Sequence, residues 1–392
     1  MRELSEDLNV LYFDHNATTF LAPEVTDTMT VALREVFGNA SSTHRQGQLA
    51  RQHLEQSRRT IARFLNASPA EFIFTSGGTE SNNLAILGLV RNLPGPYKHV
   101  ITTAIEHPSV LECYRQLERE GVEVTYVGVD SRGIVDAREV ERNLRPNTVL
   151  VSVMHANNEV GTIQSIKEIA GLIRHRNVFL HCDGVQAFGK IGVDVQELDV
   201  DLYSISAHKI FGPKGIGGLY VRKGTPLRGI QHGGRHERER RAGTENVPAA
   251  MGFARAVELC EPSIADALAD LRDRFEAEVL YRGGVVINGA TPGRLPNTSN
   301  LLFCGLSAEA LVIALDRKGI AVSTGSACSS GSVEPSHVLL AMGRSRDEAR
   351  SSVRFSFGRY NTAEDVRVLI EAVTAFLSRL RANVRLERSL VV

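Results

Sequence analysis

Ser-Ile-Ser-Ala-His-Lys, residues 204–209, ends an apolar run that begins near position 201, and a glycine-rich turn at 212–218 follows it. The apolar run predicts a buried β-strand that ends close to the lysine. An ammonium group at the end of a buried strand is costly to desolvate, so the pKa of Lys209 should fall. The segment therefore predicts a lysine of altered reactivity at the end of a buried strand.

A neutral lysine amine can form a Schiff base with an aldehyde, and pyridoxal phosphate is the commonest aldehyde cofactor. The alternative is that Lys209 merely extends its ammonium into solvent beside the end of a strand. This segment alone does not decide between the two interpretations.

Strand-like and helix-like segments alternate between about residues 70 and 225. The predicted strands are 71–75, 99–103, 123–127, 149–154, 178–182, 202–206 and 218–221, and helical patterns lie at 81–91, 110–120 and 165–176. Continuous apolar runs are typical of strands that are covered on both faces. The pattern predicts an α/β fold whose large domain has a mostly parallel seven-stranded sheet flanked by helices.

The C-terminal part of the chain shows a different mix of patterns. Helices are predicted at 251–258, 264–279, 308–318 and 363–380, and strands at 285–288, 299–304, 320–323 and 353–357. We therefore expect a smaller α+β domain formed by the N-terminal segment 1–16 and the C-terminal part 261–392. The large cofactor-binding domain would then span 17–260.

Composition argues against several classes of function. The 392 residues carry 45 basic and 45 acidic side chains, so no net charge favours nucleic acid or a membrane as a partner. No apolar run approaches the ~20 residues that span a bilayer, and the acidic N-terminus lacks a signal-peptide pattern. The five cysteines include no CxxC pair, so we expect no disulfide framework, no metal site and a reducing, cytoplasmic setting.

Polar residues follow several of the predicted strands, where open α/β sheets bind their ligands. After the first strand, a Gly-Gly pair leads into Thr79 and an apolar helix. Gly78 lets the backbone approach an anion, and the start of the helix offers free N–H groups. The alternative is a simple capped turn with Ser76 or Thr79 as N-cap.

Candidate contacts to a cofactor ring follow the next strands. His107 can stack on a ring and shuttle protons, the amide of Asn158 can contact a ligand, and Asp183 can pair with a protonated pyridine nitrogen. Each residue alone also fits an ordinary strand end or turn. Their order on successive strand ends, with Lys209 after them, has few purely structural explanations.

With these residues, the chain resembles the cysteine desulfurases of the nitrogen-fixation and iron–sulfur-cluster type. They are class V aminotransferases among the fold-type-I pyridoxal phosphate enzymes. The similarity runs from about residue 12 to 359, on motifs at 12–19, 38–44, 75–83, 157–161, 206–209 and 241–244. The most specific motif is Ser-Thr-Gly-Ser-Ala-Cys-Ser-Ser-Gly-Ser at 323–332.

The resemblance implies a cofactor role for each candidate residue. Lys209 would bind pyridoxal phosphate covalently, Asp183 would pair with the pyridine nitrogen, and His107 would stack on the ring and move protons. Asn158 and Gln186 would lie near the phenolic oxygen and the substrate. The residues implied to bind the phosphate are Gly78, Thr79, Ser206 and His208, with Thr244 reaching over from the second subunit of a homodimer.

The resemblance also implies the substrate and the reaction. Arg354 would hold the carboxylate of L-cysteine, with Asn158 nearby. Cys328 would take the sulfur as a persulfide while L-cysteine becomes L-alanine, and an acceptor such as an iron–sulfur scaffold protein would receive it. The alternative for Cys328 is a buried small apolar residue, but its Gly/Ser/Ala surroundings make a poor core segment.

Two other functions stay open at this level. One is a related pyridoxal phosphate lyase acting on selenocysteine or another β-substituted amino acid, which would not need Cys328 because selenium leaves more easily. The other is a catalytically silent scaffold, against which Lys209 and Asp183 argue. The chain departs from the family at Gly78 and Gly184, where alanine is common. We expect the first difference to be silent and the second to loosen its turn slightly.

Overall fold

The computed structural model describes residues 10–324 and 334–390, with side chains up to position 379. The β-strands are β1 (Leu11–Tyr12), β2 (Phe72–Thr75), β3 (His99–Thr103), β4 (Glu123–Val127), β5 (Thr148–Ser152), β6 (Phe179–Asp183), β7 (Leu202–Ser206), β8 (Gly217–Val221), β9 (Val285–Asn288), β10 (Thr298–Phe303), β11 (Ile320–Ala321) and β12 (Ser352–Ser356). The α-helices are α1 (Pro23–Glu35), α2 (Arg45–Phe64), α3 (Gly78–Val90), α4 (Pro108–Arg119), α5 (Ala137–Arg142), α6 (Ile166–Ile173), α7 (Val247–Glu258), α8 (Pro262–Tyr281), α9 (Ala308–Asp316), α10 (His337–Ala341), α11 (Arg346–Arg350) and α12 (Ala363–Leu390).

The large sheet has seven strands in the order β2-β8-β7-β6-β5-β3-β4. Strand β8 runs antiparallel to both of its neighbours, and the other pairs are parallel. Strands β2, β3, β7 and β8 are buried at every position, as expected where helices cover both faces. The predicted mostly parallel, helix-flanked sheet is therefore confirmed.

The direction of the strands determines where the site can form. Because β8 alone is reversed, strands β2, β3, β5, β6 and β7 all end at the same edge of the sheet. The polar turns that follow these strands therefore meet at one edge, where open α/β sheets bind their ligands.

Helices α1 and α2 were not predicted from the sequence. Both pack against α7. Helix α2 buries Ala50, Leu54 and Ile61 along one face, but also Arg58. A charged residue on the buried face weakens the apolar period, which is the main sequence signal for an amphipathic helix.

A second, smaller sheet lies in the C-terminal part, with β10 between β9 and β12 and all pairs antiparallel. The short N-terminal strand β1 pairs with β11. An apolar cluster that includes Phe13, Phe275, Phe303 and Phe355 lies beneath these strands, separate from the cluster under the large sheet. The N-terminal segment thus packs with the C-terminal part, while the boundaries at 16/17 and 260/261 stay a prediction.

Candidate active site

Lys209 lies in a single 3₁₀ turn, Ala207–Lys209, directly after β7. Its Nζ atom donates to the backbone carbonyls of Asn16 and Ala17, both at 2.6 Å. Burial, and then the nearby Arg354 guanidinium, lower the pKa of Lys209 from 10.5 to about 8. The direction agrees with the expectation from sequence, and a useful fraction of the amine is neutral near physiological pH.

The four residues predicted to hold a phosphate lie together around one cavity of about 360 Å³. We call this cavity the phosphate pocket; its lining residues are Thr18, Ser76, Gly77, Gly78, Thr79, Glu80, Ser206, His208, Lys214 and Gly215. Thr18 and Lys214 were not assigned a role from sequence. Lys214 lies in the glycine-rich turn at 212–218, and Thr18 lies in the motif at 12–19.

The donors of the phosphate pocket fit a phosphate group. The first turn of α3 borders the pocket, and N–H groups of a first helical turn lack intrahelical partners. The Ser206 hydroxyl is buried and has no hydrogen-bond partner among the described residues. The one carboxylate at the rim, Glu80, is engaged by the Arg241 guanidinium at 2.8 Å and the Ser76 amide at 2.7 Å. A bound phosphate would accept hydrogen bonds from the donors that lack a partner.

Asp183 ends β6 and is buried. Its carboxylate accepts from the Asn82 side-chain amide at 2.8 Å and from the Val185 backbone at 3.0 Å. Both donors hold the carboxylate in place, which suits a partner for a protonated ring nitrogen. Asn82 was not predicted as a site residue, although it lies in the motif at 75–83 that follows β2.

His107 caps the N-terminus of α4. Its Nδ1 accepts from the Ser109 backbone N–H at 3.1 Å, and the Ser109 hydroxyl lies 2.8 Å from the same nitrogen. The Ser109 hydroxyl in turn accepts from Asn82, so His107 and Asp183 are joined through shared partners. Burial lowers the pKa of His107 from 6.5. The ring is therefore neutral near pH 7, with its proton on Nε2.

Glu106, which the sequence did not single out, supports the turn at His107. Its Oε1 accepts from the Thr103 hydroxyl at 2.7 Å and the Met154 amide at 2.8 Å. Its Oε2 has no partner among the described residues. Burial raises the pKa of Glu106 from 4.5 to about 8, so this carboxyl is largely protonated at neutral pH.

Gln186 belongs to a group of four polar residues that we call the lysine cluster: Asn16, Gln186, Lys190 and Lys209. Gln186 donates from Nε2 to the Asn16 carbonyl at 2.9 Å and accepts from Lys190 at 2.6 Å. Asn16 and Lys190 were missed. Asn16 lies in the motif at 12–19, whereas nothing near Lys190 in the sequence marks it.

Arg354 extends from β12 of the smaller sheet and is buried. Its guanidinium contacts the Asp14 carboxylate at 2.7 Å and the Asn158 carbonyl at 3.1 Å, and its Nε has no partner among the described residues. Asn158 thus meets Arg354 through its backbone. The small and large sheets both contribute to this side of the site, as the predicted substrate contacts require.

One predicted residue does not join the site in this chain, and another lies outside the described residues. Thr244 is exposed and does not line the phosphate pocket, although Arg241 in the same segment binds Glu80 at the rim. Cys328 lies outside the described residues. The flanks of its segment are anchored nearby: Ser323 pairs with Arg354 through the backbone, and His337 Nε2 lies 2.9 Å from the Glu106 carbonyl.

The structure changes the interpretation of the two glycines. A Cβ atom at Gly184 would lie 2.0 Å from the Tyr203 ring, so this glycine lets the ring pack closely and does not merely loosen a turn. A Cβ atom at Gly78 would lie 2.7 Å from the stiff Val185 side chain, so an alanine here would require Val185 to shift, while the expected silence of the difference stays a prediction.

No group of three or more histidine, cysteine or acidic side chains in the described part of the chain could hold a metal ion. Within the same residues, no helix is both long and apolar enough to cross a bilayer.

Comparison with known proteins identifies the family. The family model described as aminotransferase class-V matches residues 11–369. A cysteine desulfurase IscS of Dictyoglomus turgidum is 45% identical over 375 residues, 95% of this chain and 95% of the relative. The chain therefore belongs to the class-V aminotransferases, among the cysteine desulfurases.

Solved structures agree. A structure described as a NifS-like protein gives a TM-score of 0.89 at 39% identity, covering 94% of this chain and 99% of that one. Another, described as SspA in complex with cysteine, gives a TM-score of 0.80 at 35% identity, covering 90% of this chain and 99% of that one. The resemblance inferred from the motifs is confirmed, and with it an enzyme that depends on pyridoxal phosphate, the cofactor of this family.

Proposed function

We propose that this protein converts L-cysteine to L-alanine and transfers the sulfur to its own Cys328 as a persulfide. The observation that carries the proposal is the meeting, at one edge of the sheet, of Lys209, the Asp183 carboxylate and a phosphate pocket with unpartnered donors. The chain supplies Cys328 in the most family-specific of its motifs.

The residues present would hold pyridoxal phosphate at both ends. The phosphate pocket would bind the phosphate, Asp183 the ring nitrogen and Lys209 the aldehyde carbon. The bound cofactor supplies an aldehyde for the substrate amino group and a ring that takes up the electron pair released at Cα.

The chain's own groups then handle the substrate. Arg354 would bind the carboxylate through the part of its guanidinium that Asp14 does not use. Lys209 Nζ, with a pKa of about 8, is basic enough to accept a proton once it is free. His107 can donate the proton on Nε2 and regain it, because Ser109 holds Nδ1 as an acceptor.

Sulfur transfer is assigned to Cys328. Its thiolate would attack the substrate sulfur, the Cβ–Sγ bond would break, and its electron pair would go to Cβ, which takes up a proton to give alanine. The sulfur stays on Cys328 as a persulfide, so the step needs no outside oxidant or reductant. An acceptor protein such as an iron–sulfur scaffold would then take the sulfur.

We further propose a cytoplasmic homodimer. Thr244 is exposed and does not line the phosphate pocket of its own chain, while its neighbour Arg241 is fixed at the rim of that pocket. This arrangement suits a residue that completes the phosphate site of a second copy.

The test is to incubate the cofactor-loaded protein with L-cysteine, measure alanine, and locate the added sulfur by mass. Alanine with one extra sulfur on Cys328 is expected. The Cys328→Ala variant should lose at least about a hundredfold in turnover. The control is Cys304→Ala, because Cys304 is an exposed free thiol of the described chain and should be dispensable.

Full turnover of Cys328→Ala with a thiol acceptor present would contradict the proposal. Comparing both proteins on selenocysteine separates the alternative lyase. A selenocysteine lyase would release alanine from selenocysteine with or without Cys328 and would process cysteine poorly in both forms.

A further inference from the structure

A second lysine is buried beside Lys209, and the proposed reaction gives it no task. Lys190 follows the turn after β6, and its Nζ lies 2.6 Å from Gln186 Oε1 and 2.8 Å from Asn16 Oδ1. Among the described residues, no carboxylate lies within ion-pairing distance of it. Buried lysines normally have such a partner, so this one needs an explanation.

The hydrogen bonds around Lys190 determine how the side-chain amides of Asn16 and Gln186 are oriented. The Asn16 side-chain nitrogen donates to the Asn158 carbonyl at 3.2 Å, and the Gln186 side-chain nitrogen donates to the Asn16 carbonyl at 2.9 Å. Backbone carbonyls only accept, so the oxygen of each amide must face Lys190. Lys190 therefore donates to both, and its donation fixes the N–H side of Gln186 away from itself.

The amino group of Lys190 also lies close to Lys209, the lysine that reacts with the cofactor. Although the residue keeps some surface, its ammonium lies deep, and burial, followed by Lys209 and Arg354, lowers the pKa of Lys190 well below 10.5. Both lysines border a cavity of about 40 Å³, which is large enough to hold water.

The other titratable groups around the lysine cluster can be named. Lys190 acts on His15 and His208, each with a pKa lowered to about 4, mainly by burial. The carboxylates of Asp14 and Asp183 face Lys209, and Glu261 borders the small cavity. The two charged groups that act on Lys190 itself, Lys209 and Arg354, are both cations.

We propose that Lys190 is a positioning residue: by donating to Oε1 it holds the Gln186 amide so that Nε2, which gives one hydrogen to the Asn16 carbonyl, keeps its second hydrogen for the cofactor. This inference rests on the proposed function for the place of Gln186 beside the cofactor's phenolic oxygen. An N–H donor to the phenolic oxygen disfavours protonation of the bound chromophore. Lys190 therefore acts on the cofactor through Gln186.

The test follows the visible absorption band of the loaded protein, without substrate, as the pH is varied. Lys190→Met removes the donor and the charge but keeps the aliphatic stem, and should raise the midpoint of the titration by about one pH unit. The Lys190→Arg variant should have a midpoint within a few tenths of a pH unit of the wild-type value. Lys167→Met is the matched control, because Lys167 is an exposed lysine paired with Glu197, and its midpoint should not move.

A double-mutant cycle with Gln186→Met tests the route of the effect. If Lys190 acts through Gln186, the shifts of Lys190→Met and Gln186→Met will sum to more than the shift of the double variant. If Lys190→Met does not fold, Lys190→Gln, which keeps a neutral donor, takes its place in the same measurements.

A variant that binds the cofactor, unfolds at the wild-type temperature and titrates at the wild-type midpoint would overturn the proposal. Failure of the proposed function looks different, because the wild type would then show the cofactor band and its titration but release no alanine from cysteine.

Discussion

The phosphate pocket and the lysine cluster are two halves of one site, and they differ in how far the chain satisfies its own polar groups. The phosphate pocket is an open cavity of about 360 Å³ with a buried Ser206 hydroxyl that has no partner among the described residues. In the lysine cluster, Lys209 and Lys190 each donate to two oxygens of the chain. The first half is shaped for a ligand, while the second is held in place by the protein itself.

The comparison explains how the site can take up a cofactor without rebuilding itself. The phosphate group needs only to fill space and complete free donors, which costs little reorganisation. Lys209, by contrast, must leave the carbonyls of Asn16 and Ala17 before it can react. The lysine cluster therefore controls when Lys209 can bond to the cofactor. The phosphate pocket provides the initial, noncovalent binding.

The largest expected effect tests the packing of the turn that carries Gln186 of the lysine cluster. Gly184→Ala places a methyl group 2.0 Å from the Tyr203 ring, whose hydroxyl lies 2.8 Å from His155 Nδ1. The free energy of unfolding, measured with urea, should fall by about 3 kcal/mol.

Gly192→Ala is the matched control, because a Cβ atom there meets nothing within 4 Å. It should change the stability by less than about 0.5 kcal/mol. If both variants unfold alike, the packing around Gly184 is looser than the comparison requires.

A smaller effect concerns the pH dependence of cofactor capture. Only neutral Lys209 can attack the aldehyde, and its pKa is lowered to about 8. Between roughly pH 6.5 and 8, the neutral fraction and hence the capture rate should rise about 16-fold in all, and then level off. Stopped-flow measurement of the visible band after mixing apoprotein with pyridoxal phosphate follows this rate.

An N-acetylated lysine in solution is the reference, and its reaction rate should keep rising toward its ordinary pKa of about 10.4. A protein profile that also rises beyond pH 10 would show that the lysine cluster does not hold Lys209 as described.

The smallest effect separates ligand binding from stability. Ser206→Ala removes a buried hydroxyl without a partner, so the apoprotein should keep its stability, while affinity for pyridoxal phosphate falls about fivefold. Ser204→Ala is the control, because its hydroxyl lies 3.1 Å from His181 Nε2. That variant should lose about 1 kcal/mol of stability and keep its affinity. Identical behaviour of the two would contradict the distinction between the halves.

Sequence analysis predicted the open half better than the packed half. Gly78, Thr79, Ser206 and His208 all lie within a few residues of a strand end, where local pattern and turn chemistry are informative. The large sheet was predicted for the same reason, because its strands are continuous apolar runs.

The packed half depends on contacts between distant parts of the chain. Asn16 meets Lys209 across 193 positions of sequence, and Lys190 across 174. No periodicity or spacing encodes such pairs, and Lys190 in particular stands in an unremarkable turn. The roles of Cys328 and Thr244, and the domain boundaries, stay predictions.

The N-terminal segment has a practical consequence for anyone who handles this protein. Residues 11–17 pair with β11 through β1 and also provide both carbonyls that hold Lys209. Removing residues 11–17, or fusing a bulky affinity tag close to residue 10, would therefore disturb the cofactor lysine directly. A tag placed there needs a flexible spacer, and proteolysis that reaches this segment is a damage route to check in any inactive preparation.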